Sequence, residues 1–290
     1  MNYQRKLVRA YTPQAHPGFL GAGHTARHVV AGGFQYTDPF ILLMDDWLDK
    51  QDDVAVGGPH PHAGFETVSL MLEGEIGDDA HKIKGGDFEI MTAGSGIVHT
   101  ETIEKKAKMR LLQLWLNLPK KDRWATPRLQ NLRSEHVPTS NNNGIRIRLY
   151  SGSLAGLVSP VQNYSPLIVA DITVDPARSA EIEIPGNYNA FLYVIEGSAK
   201  IGEEEKLLNR DQVGWLDLLE ETAPSELMLI AGREGVRFVL YAGKPTGDVI
   251  VSHGPFIADA TEDIHRLYQE YRRGNLKHIS EVPKSQRIFL

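Results

Sequence analysis

The feature that most constrains this chain is a succession of short apolar runs, each enclosed by turn residues. They are PFILLM (39–44), FETVSLMLEG (65–74), GDFEIMTAG (86–94), MRLLQLWLNLP (109–119), GIRIRLYSG (144–152), PLIVADITV (166–174), AFLYVIEG (190–197) and VRFVLYAG (236–243). They are rich in β-branched and aromatic residues, and this spacing predicts an all-β sandwich or barrel. One segment differs. In TEDIHRLYQEYRR (261–273), Ile264, Leu267, Tyr268 and Tyr271 fall at i, i+3, i+4 and i+7, the stripe of an amphipathic helix. Thr261 reads as its N-cap, and Arg272-Arg273-Gly274 closes it.

A chain of 290 residues suggests two domains. The polar, Asn-rich segment 134–144 breaks the strand rhythm and reads as the boundary. It leaves one barrel in 1–135 and a second, carrying the helix, in 145–290. The two halves resemble each other. LMLEGEIG (70–77) can be laid over YVIEGSAKIG (193–202) by matching Glu73-Gly74 with Glu196-Gly197, and Asp87 then falls over Asp211. Two copies of one β-barrel is the economical reading.

No apolar stretch approaches the ~20 residues of a membrane helix, and the N-terminus lacks the apolar core of a signal peptide. A soluble, cytoplasmic protein is expected, with a nuclear location open for a eukaryotic source. The net charge is −6, and basic runs are as short as Lys105-Lys106 and Arg272-Arg273. Direct nucleic-acid binding, which needs a basic face, is not expected. There is no cysteine. Disulfides, thiolate metal sites and cysteine nucleophiles are excluded, and any metal must be held by histidine and carboxylate.

Two triplets stand out, His60-Pro61-His62 and His99-Thr100-Glu101. In a strand, residues i and i+2 point to one face. If the first strand runs on unbroken, His60 and His62 share a face with Val68, Leu70 and Leu72, the barrel interior. Two such strands side by side would bring three imidazoles and one carboxylate to a point. That donor set suits Fe²⁺, Mn²⁺, Ni²⁺, Cu²⁺ or Zn²⁺, and leaves two positions open on an octahedral ion. His24 and His28 have metalloprotease-like spacing but no helical pattern, and read as chance. His81 reads as solvated in a turn.

The surrounding residues resemble the pirin family of bicupins. The resemblance is carried by HPHAGFETVSLMLEGEI (60–76), GDFEIMTAGSGIVHTE (86–101) and LLQLWLNLP (111–119), and extends to DPFILLMDD (38–46), TPRLQNL (126–132) and HGPFIADATEDIHRLYQEYRRGNL (253–276). It implies an all-β fold of two cupin, jelly-roll-type barrels in tandem with a short C-terminal α-helix. It also implies metal ligands His60, His62, His99 and Glu101 around one iron, Fe(II) or Fe(III), per chain, with other divalent first-row metals open. Glu66 is expected beside a ligand histidine rather than on the metal. The hairpin IGDDAHKIKGG (76–86) looks shorter than in familiar pirins. Carrying the ligand positions across the internal match gives Glu183, Pro185, Ala223 and Ser225, so the second barrel is expected to bind no metal.

Two functions follow from the resemblance. The first is a flavonol (quercetin 2,3-) dioxygenase that takes dioxygen and a planar polyphenol, opens the ring and releases carbon monoxide. Glu101 would then be both ligand and proton acceptor, with Phe65, Val68 and Leu70 as an apolar slot. The alternative is an iron-dependent, redox-sensing regulator that binds transcription-factor complexes or metabolic enzymes. The acidic balance suits protein partners better than DNA.

Overall fold

The structure is a computed structural model that describes residues 3–78, 81–220 and 222–290, without the side chains of Asp78 and His81. The expected turn position of the His81 side chain and the tip of the 76–86 hairpin thus lie outside the described residues. Among the described residues no helix is long and apolar enough to cross a membrane.

The chain divides into two compact units, each an antiparallel cupin barrel of the expected all-β class. One comprises Ala15–His136 with Thr246–Leu290, the other Val137–Pro245 with the N-terminal segment up to Gln14. This differs from a split into 1–135 and 145–290 at both ends of the chain, and strand pairing is the reason. Leu7–Tyr11 lies antiparallel to Val213–Leu216, and Tyr3–Gln4 runs parallel to Pro224–Gly243. Arg287–Phe289 adds in parallel to Arg128–Leu132. Each terminal segment therefore satisfies backbone groups that an open strand edge would leave unpaired.

In the first barrel one sheet runs in the order Arg287–Phe289, Arg128–Leu132, Phe88–Thr92, Phe65–Glu73, Ala107–Asn117, Phe40–Lys50, His24–Ala31, Ala15–Pro17. The apolar runs of the sequence form its centre, and residues 65–71 are buried on both faces. Two adjacent acidic residues, Asp45 and Asp46, interrupt the apolar part of the strand Phe40–Lys50. Asp45 is fully buried and takes a bidentate pair from Arg110, Nε to Oδ1 and Nη2 to Oδ2, both 2.9 Å. Without Arg110 the buried Asp45 would be left with the longer contact to Arg27, 3.7 Å from its Oδ2. Arg110→Ala is expected to lower the unfolding free energy by about 3–5 kcal/mol, read by urea titration. A loss no larger than that of a surface substitution would show that the pair contributes little.

The helix spans Thr261–Arg272. Thr261 is its first residue rather than its cap; the cap is Ala260, with no side-chain hydrogen bond. Ile264 and Leu267 pack against Ala63, Phe256 and Ala258, which places the helix with the first barrel. Tyr271 is exposed, so the buried stripe is narrower than the periodicity suggests.

The second barrel is filled by aliphatic and aromatic side chains, including Leu192, Val194, Phe238 and Leu240. The internal match holds at the Glu-Gly turns. Gly74 and Gly197 have φ of 79° and 71°, and a Cβ on either would collide with a backbone carbonyl, of Lys108 or Gly235 respectively. Thereafter it slips. Gly86 and Asp211 donate their N–H groups to Met71 and Val194. Asp87 and Gln212 each turn the side chain back to accept a backbone N–H, from Lys84 (3.0 Å) and Asn209 (2.8 Å). Asp87 therefore corresponds to Gln212, and Asp211 takes the left-handed position of Gly86 with φ 63°, which a short polar side chain tolerates. The corrected register carries His99 and Glu101 to Pro224 and Glu226 in place of Ala223 and Ser225; imidazole is absent either way. Ser225 is buried, donates to the Ile184 carbonyl and faces the buried Arg5, whose guanidinium donates to the carbonyls of Gly186 and Tyr188.

Candidate metal centre

The strand bearing the first triplet does not run on into the sheet. His60–His62 is a separate strand, antiparallel to Ile97–His99, with His60 opposite His99 and Ile97 opposite His62. The break falls at Ala63-Gly64. Gly64 has φ 85°, and a Cβ there would collide with the Ile257 carbonyl, so the interruption belongs to glycine. Its neighbours hold the short strand from outside. The Ile257 N–H donates to Ala63 (3.0 Å), and the Val98 N–H on the facing strand donates to Lys277 (2.8 Å). The segment around the C-terminal helix thus flanks both histidine-bearing strands.

This pairing brings His60, His62 and His99 together, with a donor atom of each within 4.8 Å of the others. The Nε2 atoms of His60 and His99 are 2.8 Å apart. Two cis donors on an octahedral ion with ~2.1 Å bonds would be separated by about 3.0 Å. The Gly58 carbonyl accepts from Nδ1–H of His60 at 3.0 Å, which leaves its Nε2 lone pair facing the cluster. Burial, reinforced by His60 and opposed by the Pro255 backbone, holds the pKa of His62 down at about 3. Its Nδ1 is buried without a hydrogen-bond partner. A neutral, poorly satisfied imidazole is the ligating form, and the donor set fits a first-row metal.

Glu101 arrives differently from the way strand parity implied. The strand ends at His99, and Glu101 lies beyond it, outside any strand. Its Oε1 accepts from Gln113 Nε2 at 2.9 Å, and its Oε2 stands 3.9 Å from His60 Nε2. Glu101 thus stands beside His60 and, like Glu66, is not part of the histidine group. Gly57, with φ 79°, allows the preceding segment to close on the Glu101 carbonyl, where a Cβ would collide. Glu66 is buried and accepts from the Thr92 hydroxyl at 2.7 Å; it is not part of the histidine group. Phe65 and Trp115 pack on His62 with ring centroids 5.2 and 5.4 Å away. Phe65 is buried while Trp115 is half-exposed, and Val68 and Leu70 lie in the core. The open part of any apolar wall is therefore Trp115 rather than Val68 and Leu70.

The sequence reading passed over His24. It is buried, and its Nε2 lies 2.9 Å from Asp46 Oδ1, which is also buried. The signal was present in Asp46, a carboxylate inside an apolar strand, since such a group needs a partner.

Two cupin barrels in one chain, the first gathering three imidazoles that could hold a metal ion, define a bicupin. The family model described as Pirin matches residues 23–116, and that of the Pirin C-terminal cupin domain matches 169–277. The chain belongs to the pirin family. It is 34% identical over 257 residues to a pirin-like protein of Solanum lycopersicum, covering 83% of this chain and 82% of that one. A crystal structure of a Geobacillus kaustophilus protein superposes with a TM-score of 0.76 at 33% identity, over 86% of this chain and 100% of that one. The fold is also that of a quercetin 2,3-dioxygenase from Acinetobacter baumannii, with TM-score 0.81 and 24% identity over 95% of this chain and 99% of that one.

Proposed function

We propose that the protein is an iron-dependent dioxygenase of flavonol-like substrates, with the metal held by His60, His62, His99 and Glu101. The observation that carries this reading is the meeting of three imidazoles with the Glu101 carboxylate beside them. Bound iron would supply a Lewis acid and a template that orders substrate and dioxygen. The chain's own residues would do the rest. His60 keeps its Nε2 lone pair inward through the Gly58 carbonyl. Gln113 holds Glu101 Oε1, and Oε2, on the His60 side, would accept the proton of the substrate hydroxyl. Trp115, backed by the buried Phe65, offers a planar wall to an aromatic ring.

Untagged protein purified without added metal is expected to carry iron, to consume oxygen with quercetin and to release carbon monoxide. Elemental analysis paired with an oxygen electrode and a flavonol panel tests this. Fully iron-loaded protein that consumes no oxygen with any flavonol would end the dioxygenase reading. The regulatory reading, iron-dependent binding of a protein partner, would then take its place.

A further inference from the structure

The buried His24–Asp46 pair has no part in the chemistry above, yet it borders the same space as Glu101. A cavity of about 20 Å³ is lined by Glu101, Gln113, His24 and Asp46, with apolar side chains such as Leu20 and Leu111 completing it. A cavity holds a water when it offers roughly 10–15 Å³ and two to four polar partners; this one meets both conditions.

The hydrogen bonds fix the direction of the pair. The Leu20 N–H donates to His24 Nδ1 at 3.0 Å. That nitrogen is therefore the acceptor, and the ring proton sits on Nε2, donated to Asp46 Oδ1. His24 is thereby fully engaged, and Asp46 retains lone pairs on Oδ2. Gln113 has the opposite need. Its amide must present N–H to Glu101, because the flipped amide would set a carbonyl against the carboxylate.

We propose that Asp46, held by His24, is a positioning residue for Glu101 that acts through one water and the Gln113 amide. The water donates one hydrogen to Asp46 Oδ2 and the other to Gln113 Oε1. The amide is then locked with its Nε2–H on Glu101 Oε1, which fixes the orientation of the carboxylate. The inference rests on Glu101 being a metal ligand.

Cobalt(II) is the probe, with affinity measured by chelator competition and the ligand field by the visible spectrum. Asp46→Asn keeps the shape but removes the charge that orients the water. It is expected to weaken cobalt binding about tenfold, the lower end of what loss of an outer partner costs, and to alter the spectrum. Asp46→Glu is expected to recover most of the affinity. In a Glu101→Gln background, Asp46→Asn should add no further loss, because the two act on one path. Gln113→Leu leaves the buried pair intact and should reproduce the tenfold loss, which keeps the test open if Asp46→Asn fails to fold. Wild-type affinity and spectrum in Asp46→Asn would overturn the proposal, as would an undiminished further loss in the Glu101→Gln background. Wild-type protein that takes up no cobalt would overturn the ligation reading, and this inference with it.

Discussion

His62→Ala is expected to abolish metal binding while leaving the protein folded. His62 is buried beside Phe65 and Trp115, so its removal leaves a small void. It also removes the imidazole's contact with the Pro255 backbone. A stability loss of about 1–3 kcal/mol is the usual range for such a change, well short of unfolding a typical domain. The effect on the metal is larger. Loss of an outer hydrogen-bond partner costs roughly 10–100-fold in metal affinity, and loss of a buried ligand from a set of four should exceed that. Elemental analysis and chelator competition report the metal, and urea titration reports the fold. A variant that unfolds cooperatively and still binds iron like the wild type would remove His62 from the ligand set.

Glu101→Gln is expected to reduce turnover of quercetin by about 10²–10⁴-fold, the range over which a positioned general base acts. The substitution is nearly isosteric, so the contact with Gln113 survives in some form. What disappears is the charge beside His60 and the oxygen able to accept the substrate's hydroxyl proton. The rate must be scaled to bound iron, because the same change weakens ligation. Full activity per iron would show that Glu101 is not the base. Glu66 would be the next carboxylate to test, although its hydrogen bond to Thr92 engages one of its oxygens elsewhere.

The sequence was most informative where local periodicity decides the outcome. The apolar runs mark the strands, and His60 and His62, two apart on one strand, both reach the histidine group because a two-residue repeat is a property of the backbone itself. It was least informative where distant residues decide. The break after His62 depends on the Ile257 carbonyl, nearly two hundred positions away. The approach of Glu101 depends on Gly57 and Gln113, on separate segments. Matching Asp87 to Asp211 by residue type gave a register one residue out. The hydrogen bonds of Asp87 and Gln212 set the true one, because what is repeated is the turn's geometry and not its acid. His24 reads as chance when its spacing to His28 is all that is considered, whereas its partner is Asp46 on the next strand.

The two ends of the chain have a consequence for the order in which the protein matures. Domains tend to fold as they emerge from the ribosome, N-terminal parts first. Here the histidine-bearing strands are synthesised early, but Ile257 and Lys277, whose backbones flank them, come after the whole of Val137–Pro245. A nascent chain could carry all four candidate ligands and still lack the supports that hold them in register. Metal loading would then report completed translation, and a product that stops within the second barrel would leave its histidines unassembled.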